Sequence, residues 1–479
     1  MSRVLFYFGS KRIYILVCII FFIIKIDSPY AGWKEIIDQA KLSVLMIEIE
    51  TLADLENESP GCYQATGFVV DAEKGIILTN RHVVGASPST ARATFSNKEK
   101  ISIKPLYYDP LHDFGFYRFN PRDLRFSKPK EFKLGDSDKV KIGEEIRVLG
   151  NNAAEGFSIL EGTISWIKKN APTYSDIDTY REFNTYYFQT SADISGGSSG
   201  GPILNQKGEV VAINSSSKSQ TTVSWGLPIN LVKGTLESLR RGRSIKRGDI
   251  GARIIFSSFD EIADYGFPKK LTSALKKNNN DIEGLLTVAD TIPKTDASDH
   301  LKPGDVIWEL NGSKVKDSFV KYENILNANV GKEVAVKLFR DGKEISFKIA
   351  VIDIEKLKIK SFVRIGSDHF SNVPLFLALA NNIPFTGVYT PYIRYNFSER
   401  DDFPEFLVIT QLGGIQINDI NDFYNELSKY KNGDSLKMKY NVLKENQREE
   451  EKVFKINWEW FKPDFFELKE SAYEWNKVR

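Results

Sequence analysis

The sequence predicts a mainly β chain: an all-β amino-terminal domain followed by smaller units that mix strands and helices. Three observations predict it. From Leu42 onward short β-rich runs recur (SVLMIEIE, ATGFVVD, GIILTN, EEIRVLG, GTISWI, TYYFQT and GEVVAINS), with Gly, Asp, Asn and Lys between many of them. Beyond Arg247 the turn residues of LKPGDVI, ELNG and RDGK punctuate further apolar strands. The length of 479 residues is enough for about three domains. Regular short strands with turn signals argue a barrel or sandwich and not alternating βα units, and periodicity alone does not choose between the two.

Composition bounds the function. The chain is 42% hydrophobic and 27% charged, which suits a folded protein. Of the formal net charge of +2, Arg3, Lys11, Arg12, Lys25 and Asp27 give the first 31 residues +3, so the remainder carries −1. No basic surface for nucleic acid is expected. Cys18 and Cys62 cannot build a disulfide framework, and four scattered histidines lack ligand spacing, so neither a metal nor a cofactor is expected.

Residues 1–31 have the layout of a secretory leader. Arg3, Lys11 and Arg12 precede the apolar run Ile13–Ile24, and Ser28-Pro29-Tyr30-Ala31 follows. The run is short of the ~20 residues that span a bilayer. A cleaved signal peptide is the first reading; an uncleaved membrane anchor is the second, because Val4–Phe8 is also apolar. Both place the body outside the cytoplasm.

In the first domain Trp33–Ala40 reads as a short amphipathic helix. His82 ends the apolar strand of ILTNRHVVG, and Asp113 opens the aromatic strand of DPLHDFGFYRF. Alone, the histidine reads as a surface residue and the aspartate as a turn residue. The segment Ser191–Pro202, SADISGGSSGGP, sets Gly196, Gly197, Gly200 and Gly201 around two serines, between Tyr186–Thr190 and Pro202–Leu204. Its plain reading is a flexible loop. Its chemical reading is a hydroxyl on a tight turn: Ser199 as nucleophile, with the N–H groups of Gly197 and Ser199 aimed at the oxyanion. A free hydroxyl is a poor nucleophile and needs an imidazole to take its proton, oriented by a carboxylate. His82, Asp113 and Ser199 stand in the chain order of trypsin-type proteases. Gly197–Gly201 also fits G-x-S-x-G, but that hydrolase elbow needs its acid and histidine after the serine, and only His300 and His369 follow, in other domains.

TNRHVV, HDFGFYR and GSSGGP resemble the three catalytic blocks of the HtrA/Deg serine proteases, which read close to TNxHVV, an Asp followed by small or apolar residues and a basic one, and GNSGGP. The resemblance implies a chymotrypsin-like double β-barrel with the site between barrels. It makes His82 the general base, Asp113 the residue that fixes its tautomer, and Ser199 the nucleophile. Ser198 and Gly196 depart from the family's Asn and Pro, which points to a more flexible loop whose oxyanion hole forms only when substrate or an activator binds. Phe114, Phe116 and Tyr117 make the Asp113 strand bulkier than usual. Ser224-Trp225-Gly226 resembles the extended segment that pairs with substrate backbone; its plain reading is a barrel strand ending at Pro228. Asp193, six residues before Ser199, has the spacing of the acid at the base of a trypsin-like primary pocket; its plain reading is a turn residue.

Leu231–Leu239 resembles the closing helix of a protease domain, and the basic stretch Arg240–Arg247 reads as a linker. RGDIGARI and the strands after it resemble a PDZ domain of the HtrA type. There Asp249, Ile250, Gly251 and Ala252 match the loop whose N–H groups hold a peptide's terminal carboxylate while the peptide adds a strand to the sheet edge. The alternative is a PDZ unit that packs on the protease and binds nothing. LVITQLGGIQINDINDFYNEL resembles the late half of a second PDZ domain, after an atypical aromatic-rich Phe370–Asp402. The Trp- and Phe-rich ending is expected to pack over its domain; exposed, it would be a docking surface. The expected division is 1–31, 32–245 (protease), 246–355 (PDZ) and 356–479 (second PDZ-like).

The resemblance implies an exported, ATP-independent serine endopeptidase of periplasm or cell envelope. It would act on unfolded or damaged polypeptides, bind peptide carboxy-termini, and assemble as a homotrimer or a multiple of one. A third reading keeps the same enzyme but gives it one dedicated substrate under PDZ control. The competing class is a chaperone or binding scaffold with a weak or silent protease domain, suggested by the altered serine loop and the divergent carboxy-terminal half.

Overall fold

The computed structural model describes residues 32–56, 59–170, 183–217, 223–278, 282–394, 403–443 and 447–479. The leader readings on residues 1–31 lie outside them. Helix α1 (Trp33–Ala40) precedes six strands: β1 (Val44–Thr51), β2 (Gly61–Asp71), β3 (Ile76–Thr79), β4 (Ser89–Thr94), β5 (Lys100–Tyr108) and β6 (Gly115–Arg118). They close a barrel in the order β1-β2-β3-β6-β5-β4. The one-turn helix α2 (Arg81–Val84) follows β3. Six more strands, β7 (Glu145–Gly150), β8 (Ser158–Asn170), β9 (Tyr186–Thr190), β10 (Pro202–Leu204), β11 (Val210–Ser217) and β12 (Ser224–Pro228), close a second barrel in the order β10-β11-β12-β9-β8-β7. The expected mainly β fold with a double barrel is thus borne out, and the barrel-or-sandwich question is answered.

Small barrels fill their interiors with side chains from alternate strand positions. Ile47, Val69, Ile77, Ala93 and Tyr117 fill the first barrel, and Ile146, Val148, Phe188, Ile203 and Val211 the second. The opposite faces of β2 and β6 are also buried, because Phe68, Val70, Phe114 and Phe116 meet Leu149, Tyr187 and Ile213 in a core between the barrels. The bulky aromatics beside Asp113 are therefore core residues. Helix α3 (Asn230–Arg240) closes this core with Leu231, Val232 and Leu236.

The stretch after α3, expected as a linker, is exposed at residues 241–244 and at Lys246 but is anchored at both ends. The Arg240 guanidinium donates to the Val70 carbonyl and pairs with Asp71 at 3.5 Å, and Arg247 is 3% exposed. A mixed unit follows, with sheet order Ala252–Ser258, Gly284–Thr291, Val306–Leu310, Glu333–Arg340, Lys343–Ala350 and the helix Phe319–Ala328.

The carboxy-terminal unit repeats this pattern. Val306–Leu310, the turn Asn311-Gly312, Ser313–Lys314 and the helix Phe319–Ala328 have as counterparts Leu407–Leu412, Gly413-Gly414, Ile415–Gln416 and the helix Ile420–Leu427. Both hairpins pair the residues flanking the turn, Leu310 with Ser313 and Leu412 with Ile415. The turn residues take φ of 47° and 74° in one and 56° and 84° in the other, the two positive values that a type I′ turn needs.

The second unit differs at one edge. Its strand Ser361–Ile365 inserts between Asp368–Asn372 and Asp464–Lys469. The aromatic ending packs across the first barrel: Phe362 stacks on Phe466 at 4.8 Å and meets Trp475 at 5.0 Å, in a cluster with Ile101 and Ile103. Trp460 remains 79% exposed. No helix among the described residues is long and apolar enough to cross a membrane.

Candidate active site

The loop that carries Ser199 is a defined turn. The Ser198 N–H donates to the Ser195 carbonyl at 3.3 Å, and Gly197 at the third position has φ 94°. With φ negative at Gly196, this is the pattern of a type II turn, which only glycine enters without strain. A Cβ on Gly197 would lie 2.3 Å from the Asn151 carbonyl oxygen, so the position excludes other residues twice over. The type II geometry sets the Gly197 N–H apart from the turn's own hydrogen bond. Among the described residues neither it nor the Ser199 N–H donates to an internal acceptor. Two backbone donors two residues apart are what an oxyanion hole requires.

Side chains from both barrels brace this turn. Thr66 on β2 donates through Oγ1 to the Gly197 carbonyl at 2.8 Å and accepts the Asn151 N–H at 2.8 Å, while its own N–H donates to the Ser199 carbonyl at 2.8 Å. Asn152 Oδ1 accepts from the Ser195 N–H at 2.6 Å. Ser198 is 1% exposed; its Oγ donates to the Ser195 carbonyl at 2.6 Å and accepts from Asn214 Nδ2 at 3.2 Å. The loop expected to be flexible is thus held at four residues, and Gly197, Gly200 and Gly201, though not Gly196, are required by close approach.

His82 lies on α2 and Asp113 between β5 and β6, so the pairing of β3 with β6 brings them together. Nδ1 of His82 lies 2.9 Å from each carboxylate oxygen of Asp113, and the His82 N–H donates to Oδ1 at 3.1 Å. The carboxylate is fully buried; the imidazole is 35% exposed. A buried acid on Nδ1 leaves the proton-accepting lone pair on Nε2, facing outward. Asn80 ties the acid to the serine side: its Nδ2 donates to the Asp113 carbonyl at 2.9 Å and to Ser215 Oγ at 3.1 Å. Ser199 Oγ donates to the Ser215 carbonyl at 3.3 Å. Tyr117 supports α2 by donating to the Val83 carbonyl at 2.9 Å.

A trypsin-like peptidase domain model matches residues 65–213, and a PDZ domain model matches residues 274–351. Residues 65–213 are thus a trypsin-like peptidase domain, and a PDZ domain follows it in the chain.

The chain is 37% identical over 357 residues to a pro-apoptotic serine protease NMA111 of Lodderomyces elongisporus, covering 74% of this chain and 36% of that protein. It is 33% identical over 417 residues to the same-named protein of Yarrowia lipolytica, covering 87% and 42%. The chain thus spans well under half the length of the curated relatives it matches. A solved HtrA-type protease, AlgW with tripeptide, aligns at 19% identity and a TM-score of 0.48 over 67% of this chain and 97% of that one. The relatives are yeast proteins and not exported envelope proteases, which overturns the expected periplasmic or cell-envelope location.

Three readings of the HtrA-like site need correction. Ser224-Trp225-Gly226 has no free edge for substrate: Ser224 pairs Thr190 and Ser217, Trp225 pairs Gln189 and Ser216, and Gly226 pairs Phe188 and Asn214. The strand end beside Ser199 is instead Ser215–Ser217, whose β10 side carries no ladder partner among the described residues beyond Asn214. Asp193 is exposed between the buried Ala192 and Ile194, as a turn residue is, and not at the floor of a pocket.

The third correction concerns Asp249, Ile250, Gly251 and Ala252, all buried. The Gly251 N–H donates to Asp249 Oδ1 at 2.6 Å, and the Ala252 N–H also bonds this carboxylate. The loop expected to hold a peptide's carboxylate therefore holds its own. Burial pushes the Asp249 carboxyl up to about 6 despite those hydrogen bonds. Asn184, from the protease segment before β9, covers the adjoining strand edge: its Nδ2 donates to Asp249 Oδ2 at 2.9 Å and to the Ala252 carbonyl at 3.1 Å, and its Oδ1 accepts from the Ile254 N–H at 2.7 Å.

Thr66, Asn80 and Ser215 were not predicted from sequence. The TN of TNRHVV carries a signal for Asn80; nothing local singles out Thr66.

Proposed function

We propose that this chain is a serine endopeptidase. Ser199 Oγ turns from the Ser215 carbonyl to the imidazole and attacks a peptide carbonyl. His82 takes the proton through Nε2 and returns it to the leaving amine. Asp113 holds the tautomer and stabilises the imidazolium, and the Gly197 and Ser199 N–H groups bind the oxyanion. The observation that carries this reading is the buried Asp113 carboxylate on His82 Nδ1, 2.9 Å away, beside a serine on a braced type II turn. Substrate adds as an extended strand along Ser215–Ser217. That mode reads backbone and suits unfolded polypeptides.

In this reading the chain divides at about residues 245 and 355. PDZ domains bind peptides as added strands. In this chain carboxy-terminal peptides reach the first PDZ unit only when Asn184 leaves its edge, and association into trimers follows the family. The test is cleavage of reduced casein at neutral pH by the purified chain. Cleavage by the parent and a loss of roughly 10⁴-fold or more in Ser199→Ala support the endopeptidase. No cleavage by the parent, with suppressed aggregation of the client, overturns it in favour of a chaperone scaffold.

A further inference from the structure

We propose that Glu323, on the PDZ helix Phe319–Ala328, is a positioning residue for the Asp113–His82 pair and acts through His112. The proposal rests on the triad reading above and deepens it.

Asp113 sits in a closed turn. The Asp109 N–H donates to the Phe114 carbonyl at 3.0 Å and the Phe114 N–H to the His112 carbonyl at 2.8 Å. Asp109 Oδ1 accepts from the Leu111 and His112 N–H groups at 3.0 and 2.9 Å. The side chains of this turn reach out of the barrel to a second domain. Arg247 pairs with Asp109, Nε to Oδ2 at 2.8 Å, and through NH1 with Glu323 Oε2 at 2.8 Å. Glu323 Oε1 contacts His112 Nε2. Asp109, Arg247, Glu323 and His112 thus form a ring of charged and polar side chains closed by the backbone of the turn, none more than 7% exposed.

His112 and Asp113 are consecutive and face opposite ways, one to Glu323 and the other to His82. A shift of the peptide between them moves both. Burial alone would raise the Glu323 carboxyl; Arg247 and His112 outweigh it and hold the group down to about 2, so it is ionised. A buried ion keeps its partners because releasing one leaves an uncompensated charge. The ring therefore fixes the turn rigidly, and the acid with it. Tyr107, Glu355 and Lys358 close the outer side: Tyr107 OH donates to Glu355 at 2.6 Å and Lys358 Nζ to the Tyr108 carbonyl at 2.9 Å. A displacement of the acid by ~1 Å is enough to cost on the order of a hundredfold in rate.

The test is Glu323→Gln in the full chain. With a short chromogenic peptide, kcat is expected to fall roughly ten- to a hundredfold, with KM unchanged and the melting temperature reported alongside. Glu323→Asp keeps the charge but shortens the reach to His112, so it carries the test should Glu323→Gln not fold; an intermediate kcat is expected. The independent readout is the downfield proton resonance of His82 Nδ1–H in a Ser199→Ala background. It reports the His82–Asp113 bond whether or not the chain cleaves anything. Loss or an upfield shift of that resonance in folded Glu323 variants supports the proposal even if the endopeptidase reading fails. An unchanged resonance together with wild-type kcat in either folded variant overturns it and leaves Glu323 a purely structural group.

Discussion

The side-chain amide of Asn184 spans Ala252 and Ile254, giving a donor to one carbonyl at 3.1 Å and an acceptor to the other's N–H at 2.7 Å. One side chain thereby supplies the donor–acceptor pair that a bound peptide strand offers to a sheet edge. Asn184 takes φ 55°, a left-handed conformation that asparagine tolerates better than most residues. Tyr186, two residues on, packs its ring 5.9 Å from Phe319 of the PDZ helix. In the second unit the strand Ser361–Ile365 does the equivalent work by pairing with Asp368–Asn372. The corresponding edges of both units are thus paired from within the chain.

Asn184→Ala is therefore expected to open the first PDZ edge. Two neutral hydrogen bonds of about 1 kcal/mol each would no longer compete with an incoming strand. Binding of labelled peptides with free carboxy-termini, followed by fluorescence anisotropy, should tighten roughly tenfold. Equal affinities in parent and variant would show that Asn184 does not occupy the binding edge.

Thr66→Val keeps the shape of the side chain but removes the donor to the Gly197 carbonyl and strands the Asn151 N–H, a loss of about 1–3 kcal/mol. The expected signature is a kcat lowered roughly tenfold, less than the loss of an oxyanion donor itself because the effect is indirect. Steady-state kinetics on a short peptide checks this; an unchanged kcat would free the turn from any dependence on β2.

Gly197→Ala meets a harder limit. The left-handed φ costs about 1–2 kcal/mol with a Cβ, and the new methyl collides with a carbonyl oxygen 2.3 Å away. The turn must break, so activity is expected to fall by roughly 10² or more while the barrels stay folded by circular dichroism. Wild-type activity would mean that the Gly197 N–H does not take part.

How much of this was legible in the sequence follows from the range of each interaction. His82, Asp113 and Ser199 sit in short segments whose order and neighbours identify them, and the strands between them alternate clearly enough to give the fold class. Thr66 acts on a loop 131 residues away and leaves no local pattern. The glycines of the serine loop suggested flexibility because sequence shows freedom of φ and not the carbonyls that surround it. Ser224-Trp225-Gly226 had the right residues for a substrate strand, but whether a strand has a free edge depends on pairing, and both edges are taken. Asp249 looked like part of a receptor for carboxylates; only its burial reveals that it is the ligand.

The raised Asp249 carboxyl predicts a pH signature. Its folded value of about 6 lies above the unfolded ~3.9, so its contribution to stability is fully present below about pH 4 and is lost as pH rises through 6. The span amounts to about 3 kcal/mol. Asp368, raised to about 6 by burial, adds a change of the same sign. His369, pushed down to about 4 by burial and by Arg364 and Arg394, adds one of opposite sign, its stability lost as pH falls. The difference between parent and Asp249→Asn isolates the one group. Denaturant unfolding at pH 4 and pH 6.5 should show that difference shrinking in the parent's disfavour as pH rises; a constant difference removes the assignment.

Ser198→Ala is at first sight an innocuous companion to Ser199→Ala, since Ser199 is the proposed nucleophile. Its geometry says otherwise. The hydroxyl donates to the Ser195 carbonyl, the same acceptor that closes the type II turn, and takes a hydrogen bond from Asn214. The side chain is buried, so water cannot replace it, and the loss is expected to be about 1–2 kcal/mol of turn stability. A turn weakened by that amount populates other conformations, and each tenfold fall in the competent fraction lowers kcat tenfold without touching the nucleophile. Ser198→Ala should therefore retain a measurable activity, roughly ten- to thirtyfold below the parent, and recover part of it when a tight substrate-like aldehyde or boronate is used to reorder the loop. Full activity would mean that Thr66 and Asn152 hold the turn alone. Activity as low as in Ser199→Ala would mean that Ser198 belongs to the chemistry.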